Sequence, residues 1–391
     1  MKNLLNPTIQ DIQISGIRKI ADKIKTYENV VSLTIGEPDF QTPEFIKEAG
    51  RKAIEDNYTF YAPTAGLYET RVAATDFLKR RYDLVYNPSS EVIITNGSTE
   101  SIFMALKSML NEGDEVLIPT PAYPGYEPVI NMCGGKLIPL DTSSSEFKLT
   151  KEQLESNITN RTKVVILTYP SNPTGAIMTK SELAKLVGVL KDKDIFVISD
   201  ELYSELTFDK SHASIAAFPE MREKTVVING VSKSHAMTGW RIGFTFAPEY
   251  ITEQMLKTHQ YLNTSVNTIA QVAAIQALNE GDKAVGNMKE QYRKRRDILC
   301  EGLQRLGVDV AVPSGTFYVF PSVKPFGISA EEFSEKVLKE CNVGLLPSHV
   351  FTYGGNEHLR ISFASSEEKI KEVLNRLEVY LKKAQKQNNK Y

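Results

Sequence analysis

The chain has 391 residues, with 46 lysine and arginine residues against 48 aspartate and glutamate residues and a formal net charge of -2. This length allows two or more domains and a large buried core, whereas the near-neutral charge excludes a bulk basic field for nucleic acid and an acidic interaction tail. Three cysteines without a C-x-x-C pair exclude a disulfide framework and give no sign of zinc, so we expect no metal site.

The ends of the sequence carry no targeting or membrane signal. Met1–Pro7 lacks the apolar core of a signal peptide, and no apolar run approaches membrane-spanning length. The segment 382–391 is basic and polar, which predicts a solvated, fraying end. We therefore expect a soluble, cytoplasmic protein that does not enter the membrane.

The middle of the chain alternates short β-branched runs with longer helical patterns, which is typical of an α/β sheet. Several runs are unbroken and rich in valine and isoleucine, as expected for strands buried on both faces. Helical patterns lie between them, for example at Ser98–Leu110 and Ser181–Leu190. The predicted strands are Glu91–Thr95, Glu115–Pro119, Lys136–Leu140, Lys163–Thr168, Ile195–Ser199, Thr225–Asn229 and Arg241–Phe246.

Beyond about Gly281 the pattern changes. A charged segment with helical periodicity, Gly286–Leu306, precedes a strand region punctuated by glycine and proline, Val312–Ser322, and then a helix, a strand and a final helix. This order predicts a second, α+β domain. We expect residues 1–47 to join this small domain, residues 48–285 to form the large domain, and residues 286–391 to form the small C-terminal domain.

Four loops of unusual composition each follow a predicted strand, and the carboxyl ends of strands in an α/β sheet share one crevice. In the first, Asn96–Thr99, small residues allow N–H groups and hydroxyls to face an anion at a helix N-terminus, although Ser98 or Thr99 would also serve as an ordinary N-cap. In the second, Ser171–Gly175, the amide group of Asn172 can donate a hydrogen bond to an oxygen on the ring of a bound ligand, but the same residues suit a tight turn.

The third loop begins with Asp200 and contains Tyr203. A carboxylate at the end of a buried strand is costly unless it is paired, and a protonated pyridine nitrogen is a suitable partner. Tyr203 can donate to the same ring oxygen as Asn172. An N-cap of a helix by Asp200 is the alternative interpretation.

The fourth loop runs from Lys233 to Arg241. A lysine after a buried strand lies at the mouth of the sheet, and the guanidinium eight residues later offers a planar fork to a phosphate. A pyridoxal-phosphate enzyme needs both groups, an amine for the aldehyde and a fixed cation for the phosphate. Taken alone, the pair favours an exposed surface loop, because lysines are usually exposed, but the other three loops favour the cofactor.

Motifs along nearly the whole chain carry a family resemblance: Ser32–Phe40, Tyr61–Gly66, Asn172–Gly175, Asp200 with Tyr203, Lys233–Arg241, and Leu359–Phe363. In this order they resemble the fold-type I, class I pyridoxal-phosphate aminotransferases. The resemblance implies an α/β fold with a mostly parallel seven-stranded sheet, helices on both faces, and a smaller α+β domain. Three further runs resemble the subgroup that acts on N-acetyl-L,L-diaminopimelate: Ile14–Lys19, Tyr123–Pro128 and Asn229–His235.

The resemblance also implies a role for each cofactor-binding residue. Lys233 holds the aldehyde covalently and moves a proton between the substrate and the cofactor, and Asp200 pairs with the pyridine nitrogen. Tyr203 and Asn172 hold the ring oxygen. Tyr123 stacks on the ring, with a core tyrosine as the alternative. The phosphate is surrounded by Gly97, Ser98, Thr99 and Arg241, with Ser232 as a further cofactor contact.

At the substrate end, the resemblance assigns the α-carboxylate to Arg360, with the backbone N–H of Gly36 approaching the same group and Asn172 lying nearby. Tyr61 matches a tyrosine that reaches the phosphate of the partner subunit, which implies a homodimer with shared active sites. The chain departs from the common pattern at Gly230, where many members have serine, and at Ser348, where many have glycine.

These expectations lead to a pyridoxal-phosphate-dependent aminotransferase that moves an amino group between an L-amino acid and a 2-oxo acid such as 2-oxoglutarate. N-acetyl-L,L-diaminopimelate, in lysine biosynthesis, is one substrate; aspartate, aromatic amino acids and a C–S β-lyase reaction are alternatives. A ligand-sensing regulator of this fold would carry a DNA-binding segment ahead of it, for which the short N-terminal part leaves no room.

Overall fold

The strands of the protein form one large sheet and two small ones. The computed structural model describes residues 4–388, with side chains over 4–383. Within these residues the strands are β1 (Val31–Ser32), β2 (Val92–Thr95), β3 (Glu115–Thr120), β4 (Lys136–Asp141), β5 (Thr162–Thr168), β6 (Phe196–Asp200), β7 (Thr225–Gly230), β8 (Gly243–Phe246), β9 (Tyr318–Val319), β10 (Val343–Gly344), β11 (Leu346–Pro347) and β12 (Leu359–Ser362).

The large sheet has seven strands in the order β2-β8-β7-β6-β5-β3-β4. Strand β8 is antiparallel to both of its neighbours, and all the other neighbouring pairs are parallel. The predicted fold class and all seven predicted strands are therefore confirmed. The last predicted strand begins two residues late, because Arg241 has a φ of 56°, which an extended strand does not accommodate.

Both faces of the large sheet are covered by helices. On β7, Val226 and Ile228 pack into a buried cluster with Ile102, whereas Val227 lies in a different cluster with Ala273. Alternate side chains of one strand thus enter opposite layers, as the period of a β-strand requires. The unbroken apolar runs in the sequence reflect this burial on both faces.

The helices include those predicted between the strands. The helix predicted at Ser181–Leu190 begins one residue earlier, where the side chains of Thr179 and Glu182 form a reciprocal capping box. Within the described residues the helices are α1 (Pro7–Asp11), α2 (Gly16–Ile24), α3 (Glu44–Glu55), α4 (Tyr68–Tyr82), α5 (Ser98–Met109), α6 (Tyr126–Met132), α7 (Lys151–Asn157), α8 (Lys180–Leu190), α9 (Pro219–Arg222), α10 (Glu249–Asn263), α11 (Thr268–Glu280), α12 (Asp282–Arg305), α13 (Ala330–Cys341) and α14 (Glu367–Asn388).

The C-terminal part carries the two small sheets. Strand β1 pairs in parallel with β10, and β11, β12 and β9 form an antiparallel sheet. The N-terminal segment thus contacts the region to which we expected it to belong. The predicted boundary after residue 285 falls inside α12, so one long helix crosses it, and the domain division itself stays a prediction.

Two predictions near the C-terminus need correction or restriction. Of the region predicted as strand at Val312–Ser322, only Tyr318–Val319 is a strand, because Thr316 has a φ of 62° that interrupts an extended run. The segment predicted to fray continues helix α14 as far as Asn388, and residues 389–391 lie outside the described part, as do residues 1–3. Among the described helices, none combines the length and apolar character needed to cross a membrane.

Candidate active site

A cavity of about 360 Å³ opens at the carboxyl ends of the strands of the large sheet. The loops after β2, β5, β6 and β7 contribute to its wall, as the strand-end argument predicted. The predicted site residues that line it are Gly36, Ser98, Thr99, Tyr123, Asn172, Asp200, Tyr203, Ser232, Lys233, Arg241 and Arg360. The structure therefore collects most of the predicted site in one place, whereas their individual roles stay predictions.

Asp200 faces this cavity without a cationic partner. Its carboxylate accepts hydrogen bonds from the hydroxyl of Tyr126 at 2.8 Å and from the backbone N–H of Leu202 at 3.2 Å. No basic side chain of the described residues lies within 4.0 Å of it, and burial raises its pKa. No α-helix begins directly after Asp200, where the chain forms a turn, so the N-cap interpretation is wrong. A half-buried carboxylate of this kind at a cavity wall fits a protonated ring nitrogen.

Lys233 presents an amine that can act as a nucleophile near neutral pH. Its Nζ donates a hydrogen bond to the carbonyl oxygen of Gly36 at 2.7 Å. Burial lowers the pKa of Lys233 to about 8, Glu37 opposes this shift, and Arg360 and Arg241 add to it. A lowered pKa increases the unprotonated fraction of the amine, which is the form that reacts with an aldehyde.

The loop after β2 lies directly against the guanidinium of Arg241. Gly97 has a φ of 82°, and a Cβ at this position would lie 2.2 Å from Nη2 of Arg241. The guanidinium of Arg241 can therefore lie directly over this loop only because residue 97 is a glycine. Arg241 donates to the carbonyl oxygens of Thr238 at 3.1 Å and Asn96 at 3.3 Å.

The N-terminus of α5 adjoins the same guanidinium. The N-cap residue is Gly97, and no side chain caps this end of the helix, so neither Ser98 nor Thr99 is the N-cap. N–H groups left without a side-chain cap can bind a phosphate. Ser232 also lines the cavity here.

Arg360 lies buried at the other end of the cavity and has only neutral partners. It is 2% exposed, donates from Nη1 to Oδ1 of Asn172 at 3.0 Å, and donates from Nη2 to the carbonyl oxygen of Thr34 at 2.9 Å. Its guanidinium lies over the ring of Tyr318, 4.2 Å from the centroid. No carboxylate of the described residues lies within 4.0 Å, and Nε has no partner in the described part. A buried cation of this kind fits a carboxylate of a ligand.

Gly36 allows the chain to pass close to this guanidinium. A Cβ at residue 36 would lie 2.9 Å from the hydroxyl of Tyr318 and 3.7 Å from Nη2 of Arg360. A side chain would thus fill the space beside the arginine. This agrees with the predicted approach of the Gly36 backbone to a bound carboxylate.

Several aromatic and amide side chains lie in the cavity between Arg241 and Arg360, and contacts among these side chains fix their positions. The hydroxyls of Tyr203 and Tyr318 lie 3.0 Å apart, and the ring of Tyr123 meets that of Tyr126 edge to face at 5.6 Å. Because Oδ1 of Asn172 accepts from Arg360, its amide hydrogens are left to donate into the cavity. This orientation suits a donor to a ring oxygen.

Tyr61 is a predicted site residue that the structure leaves away from the cavity. Its side chain is 87% exposed and lies in a separate hollow with Tyr58, Phe60 and the segment 265–269. Within one chain it contacts none of the residues assigned to the cofactor. Its assignment to the site of a partner subunit stays a prediction.

The structure adds residues that the sequence argument did not single out. Tyr126 holds Asp200, Tyr318 holds Tyr203 and covers Arg360, and Arg18 lines the cavity. Tyr126 and Arg18 lie inside runs that carried the subgroup resemblance, whereas Tyr318 had no comparable signal. Ser348, at a departure from the family pattern, is fully buried and donates to the carbonyl oxygen of Gly355 at 3.0 Å, so its hydroxyl stabilises its own loop.

Comparisons with known proteins agree with the family resemblance carried by the sequence motifs. A family model described as aminotransferase class I and II matches residues 28–377. A probable N-acetyl-LL-diaminopimelate aminotransferase of Bacillus subtilis is 47% identical over 98% of this chain and 97% of its own length. An aspartate aminotransferase of Pyrococcus abyssi is 38% identical over 97% of both chains. The crystal structure of an aromatic aminotransferase from Pyrococcus horikoshii OT3 superimposes with a TM-score of 0.89 at 38% identity, covering 94% of this chain and 99% of that one.

Proposed function

The chain belongs to aminotransferase class I and II and is a pyridoxal-phosphate-dependent transaminase, and we propose that it moves an amino group between N-acetyl-L,L-diaminopimelate and 2-oxoglutarate. One observation supports the proposed site: a half-buried amine, a half-buried carboxylate with no cation beside it among the described residues, and a buried guanidinium with neutral partners line the same cavity. The Bacillus subtilis relative at 47% identity supports the choice of substrate.

In this proposal each residue of the cofactor site has a separate role. Bound pyridoxal phosphate supplies an aldehyde and a protonated ring that withdraws electrons from the substrate. Asp200 keeps the ring nitrogen protonated, and Lys233 moves the proton at the substrate α-carbon. Asn172 and Tyr203 donate to the ring oxygen.

At the substrate end, Arg360 binds the α-carboxylate through two charge-assisted hydrogen bonds, and the backbone of Gly36 approaches the same group. Asn172 and Thr34, which accept from Arg360 in the structure, hold its guanidinium plane in place. The reacting carbon is thereby held near the amine of Lys233.

A panel of amino donors with 2-oxoglutarate as acceptor tests the substrate assignment. We expect N-acetyl-L,L-diaminopimelate to give the highest kcat/KM, above aspartate, phenylalanine and alanine. A clear preference for aspartate or for an aromatic donor would overturn this assignment and favour the activities named for the two Pyrococcus proteins. Release of pyruvate and ammonia from a single amino acid would instead favour the β-lyase alternative.

We also propose a homodimer in which Tyr61 contributes to the partner's phosphate site. Its support is the exposure of Tyr61 together with Phe60, which is 81% exposed, and Tyr58, which is 44% exposed, since large apolar patches mark interfaces. Sedimentation should give a dimer, and a mixture of the Tyr61→Ala and Lys233→Ala variants should recover some activity. A fully active monomer would contradict this arrangement. The cytoplasmic location and the place in lysine biosynthesis are predictions of the same kind.

A further inference from the structure

Two ionisable side chains next to the loop after β2 have no role in the proposed function. Glu100 lies in the first turn of α5 with its side chain 11% exposed, and His259 lies in α10 with its side chain fully buried. Neither residue lines the active-site cavity. Burying a carboxylate and an imidazole costs free energy unless both find polar partners, so the contacts of this pair indicate its role.

The carboxylate of Glu100 joins the loop to His259. Its Oε2 accepts a hydrogen bond from the backbone N–H of Asn96 at 2.5 Å. Its Oε1 lies 2.9 Å from Nδ1 of His259, which is 159 residues away along the chain. Because a carboxylate only accepts hydrogen bonds, Nδ1 is the donor in this contact. Helices α5 and α10 pack against each other, and the pair links the loop to the second of these helices.

Glu100 does not act as an ordinary helix cap. A glutamate at the third position of a helix commonly accepts from the backbone N–H of the N-cap residue. The N-cap of α5 is Gly97, but Glu100 accepts from Asn96, one residue earlier. The N–H of Gly97 donates instead to the carbonyl oxygen of Thr95 at 2.8 Å. Glu100 therefore holds the loop that precedes the helix and leaves the first N–H groups of α5 without a side-chain cap.

The backbone of Asn96 is held from two directions. Its N–H donates to Glu100, and its carbonyl oxygen accepts from Nη2 of Arg241 at 3.3 Å. Strand β8 restricts the start of the helix, because a Cβ at Gly243 would lie 2.8 Å from the backbone nitrogen of Ser98. Since hydrogen bonds weaken steeply when they are misdirected, a displacement of this loop would weaken the binding of a phosphate by its N–H groups.

Both oxygens of the Glu100 carboxylate have a partner. The N–H of Asn96 occupies one oxygen and the imidazole of His259 occupies the other. Among the described residues, His259 supplies the one basic group within 4.0 Å of this carboxylate. A carboxylate free to turn toward the phosphate site would repel a bound phosphate. Loss of His259 would therefore free an oxygen of Glu100 and loosen the hold on Asn96.

We propose that Glu100 and His259 are positioning residues for the cofactor phosphate, and that they set the preference of the protein for a phosphorylated cofactor. They act by holding the backbone of Asn96, and neither touches the cofactor. This inference rests on the phosphate site of the proposed function, at the loop after β2 and Arg241. It does not depend on which amino donor the enzyme uses.

Equilibrium binding to the full chain freed of cofactor tests the inference, with pyridoxal phosphate and pyridoxal as two probes that differ only in the phosphate. In His259→Leu we expect Kd for pyridoxal phosphate to rise by about tenfold, as for a lost hydrogen bond to a charged group. Kd for pyridoxal should change by less than about twofold. His259→Asn should keep most of the affinity, because its amide nitrogen can replace Nδ1 as a donor.

A double-mutant cycle separates a shared role from two independent ones. Glu100→Ala should also raise Kd for pyridoxal phosphate, and the double variant with His259→Leu should lose no more than Glu100→Ala alone, because both residues act through one contact. Additive losses would show that the two residues act independently and would overturn the pair. Tighter binding of pyridoxal phosphate by Glu100→Ala would show that this carboxylate only repels the phosphate, which also contradicts the inference.

Glu253→Ala is the matched control, because Glu253 is an exposed glutamate on the same helix as His259. It should leave Kd for both probes unchanged. Thermal unfolding of the cofactor-free variants shows whether they are folded at the temperature of the measurement. An equal loss for both probes in folded His259→Leu, or no loss for pyridoxal phosphate, would overturn the positioning role.

Arg241→Gln keeps this result separate from the proposed phosphate site. We expect this variant to lose most of the preference for pyridoxal phosphate over pyridoxal. If it does so while His259→Leu keeps the preference, the phosphate site stands and the role of Glu100 and His259 is overturned. If neither variant changes the preference, the phosphate site is wrongly placed and the inference fails with it. No amino donor is used, so a failed substrate assignment leaves a positive result standing.

Discussion

The two ends of the active-site cavity are built in different ways. At the cofactor end, Ser98, Asp200 and Lys233 lie at or within three residues of the carboxyl ends of β2, β6 and β7, which belong to one sheet. At the substrate end, Arg360 comes from β12 and its hydrogen-bond partner Thr34 follows β1, at opposite ends of the chain. The first end depends on local sequence, and the second depends on packing between distant segments.

This difference also appears in how the charges are held. Asp200 is held by the backbone N–H of Leu202, two residues on, and by the hydroxyl of Tyr126, 74 residues away along the chain. Arg360 is held by Asn172 and Thr34, which are 188 and 326 residues away along the chain. We therefore expect substitutions at the cofactor end to alter the chemistry, and substitutions at the substrate end to alter substrate affinity with the cofactor retained.

Asp200→Asn should produce the largest effect and tests the cofactor end. Asparagine retains the shape and can still interact with Tyr126 and Leu202, but it cannot keep a pyridine nitrogen protonated. We expect kcat to fall by at least about a hundredfold, the scale of a lost acid–base function. Circular dichroism should show an unchanged fold, and a variant that transaminates at the wild-type rate would show that Asp200 has a structural role.

Arg360→Lys should produce a smaller effect, confined to the substrate end. Lysine keeps the charge but loses the planar fork, at a cost of about 1.5–3 kcal/mol in binding the α-carboxylate. The KM values of the amino donor and the oxo acceptor should both rise. Cofactor retention after dialysis should not change, and loss of cofactor with normal substrate affinity would mean that the two ends had been wrongly separated.

The smallest effect should be the pH dependence of the rate at which the apoprotein binds pyridoxal phosphate. It tests whether the amine at the cofactor end has a lowered pKa. Because burial lowers the pKa of Lys233 to about 8, the protonated fraction of this amine falls as the pH rises through about 8. The rate at which the apoprotein binds pyridoxal phosphate covalently should therefore rise with pH up to this region and then level off. An ordinary lysine would level off only near its usual pKa of about 10.4.

Arg360→Lys is the control for this profile, since it keeps the positive charge near Lys233 and should leave the profile unchanged. Absorbance changes in rapid mixing experiments between pH 6 and pH 10, roughly, would follow the reaction on both sides of the expected value. If the rate continues to rise up to the highest pH of this range, the pKa of Lys233 is not lowered as the structure indicates.

Much of the cofactor end was predictable because its signals are local. Short β-branched runs identified all seven strands of the large sheet, and the rule that strand ends share a crevice placed Asn172, Asp200 and Lys233 together. The same local reasoning was less accurate where the backbone conformation of a single residue ended or interrupted a strand. The positive φ of Arg241 shortened one predicted strand, and that of Thr316 interrupted another.

The sequence by itself thus determined the α/β architecture and the family resemblance, and it predicted the residues of the cofactor end, because periodicity and strand-end motifs act over a few residues. Only the tertiary structure decided that Tyr126 holds Asp200, that Tyr318 covers Arg360, and that Arg18 faces the cavity. These contacts join segments far apart in the chain, and their formation depends on how the small sheets and the N-terminal helices pack against the large sheet. No local pattern encodes that packing.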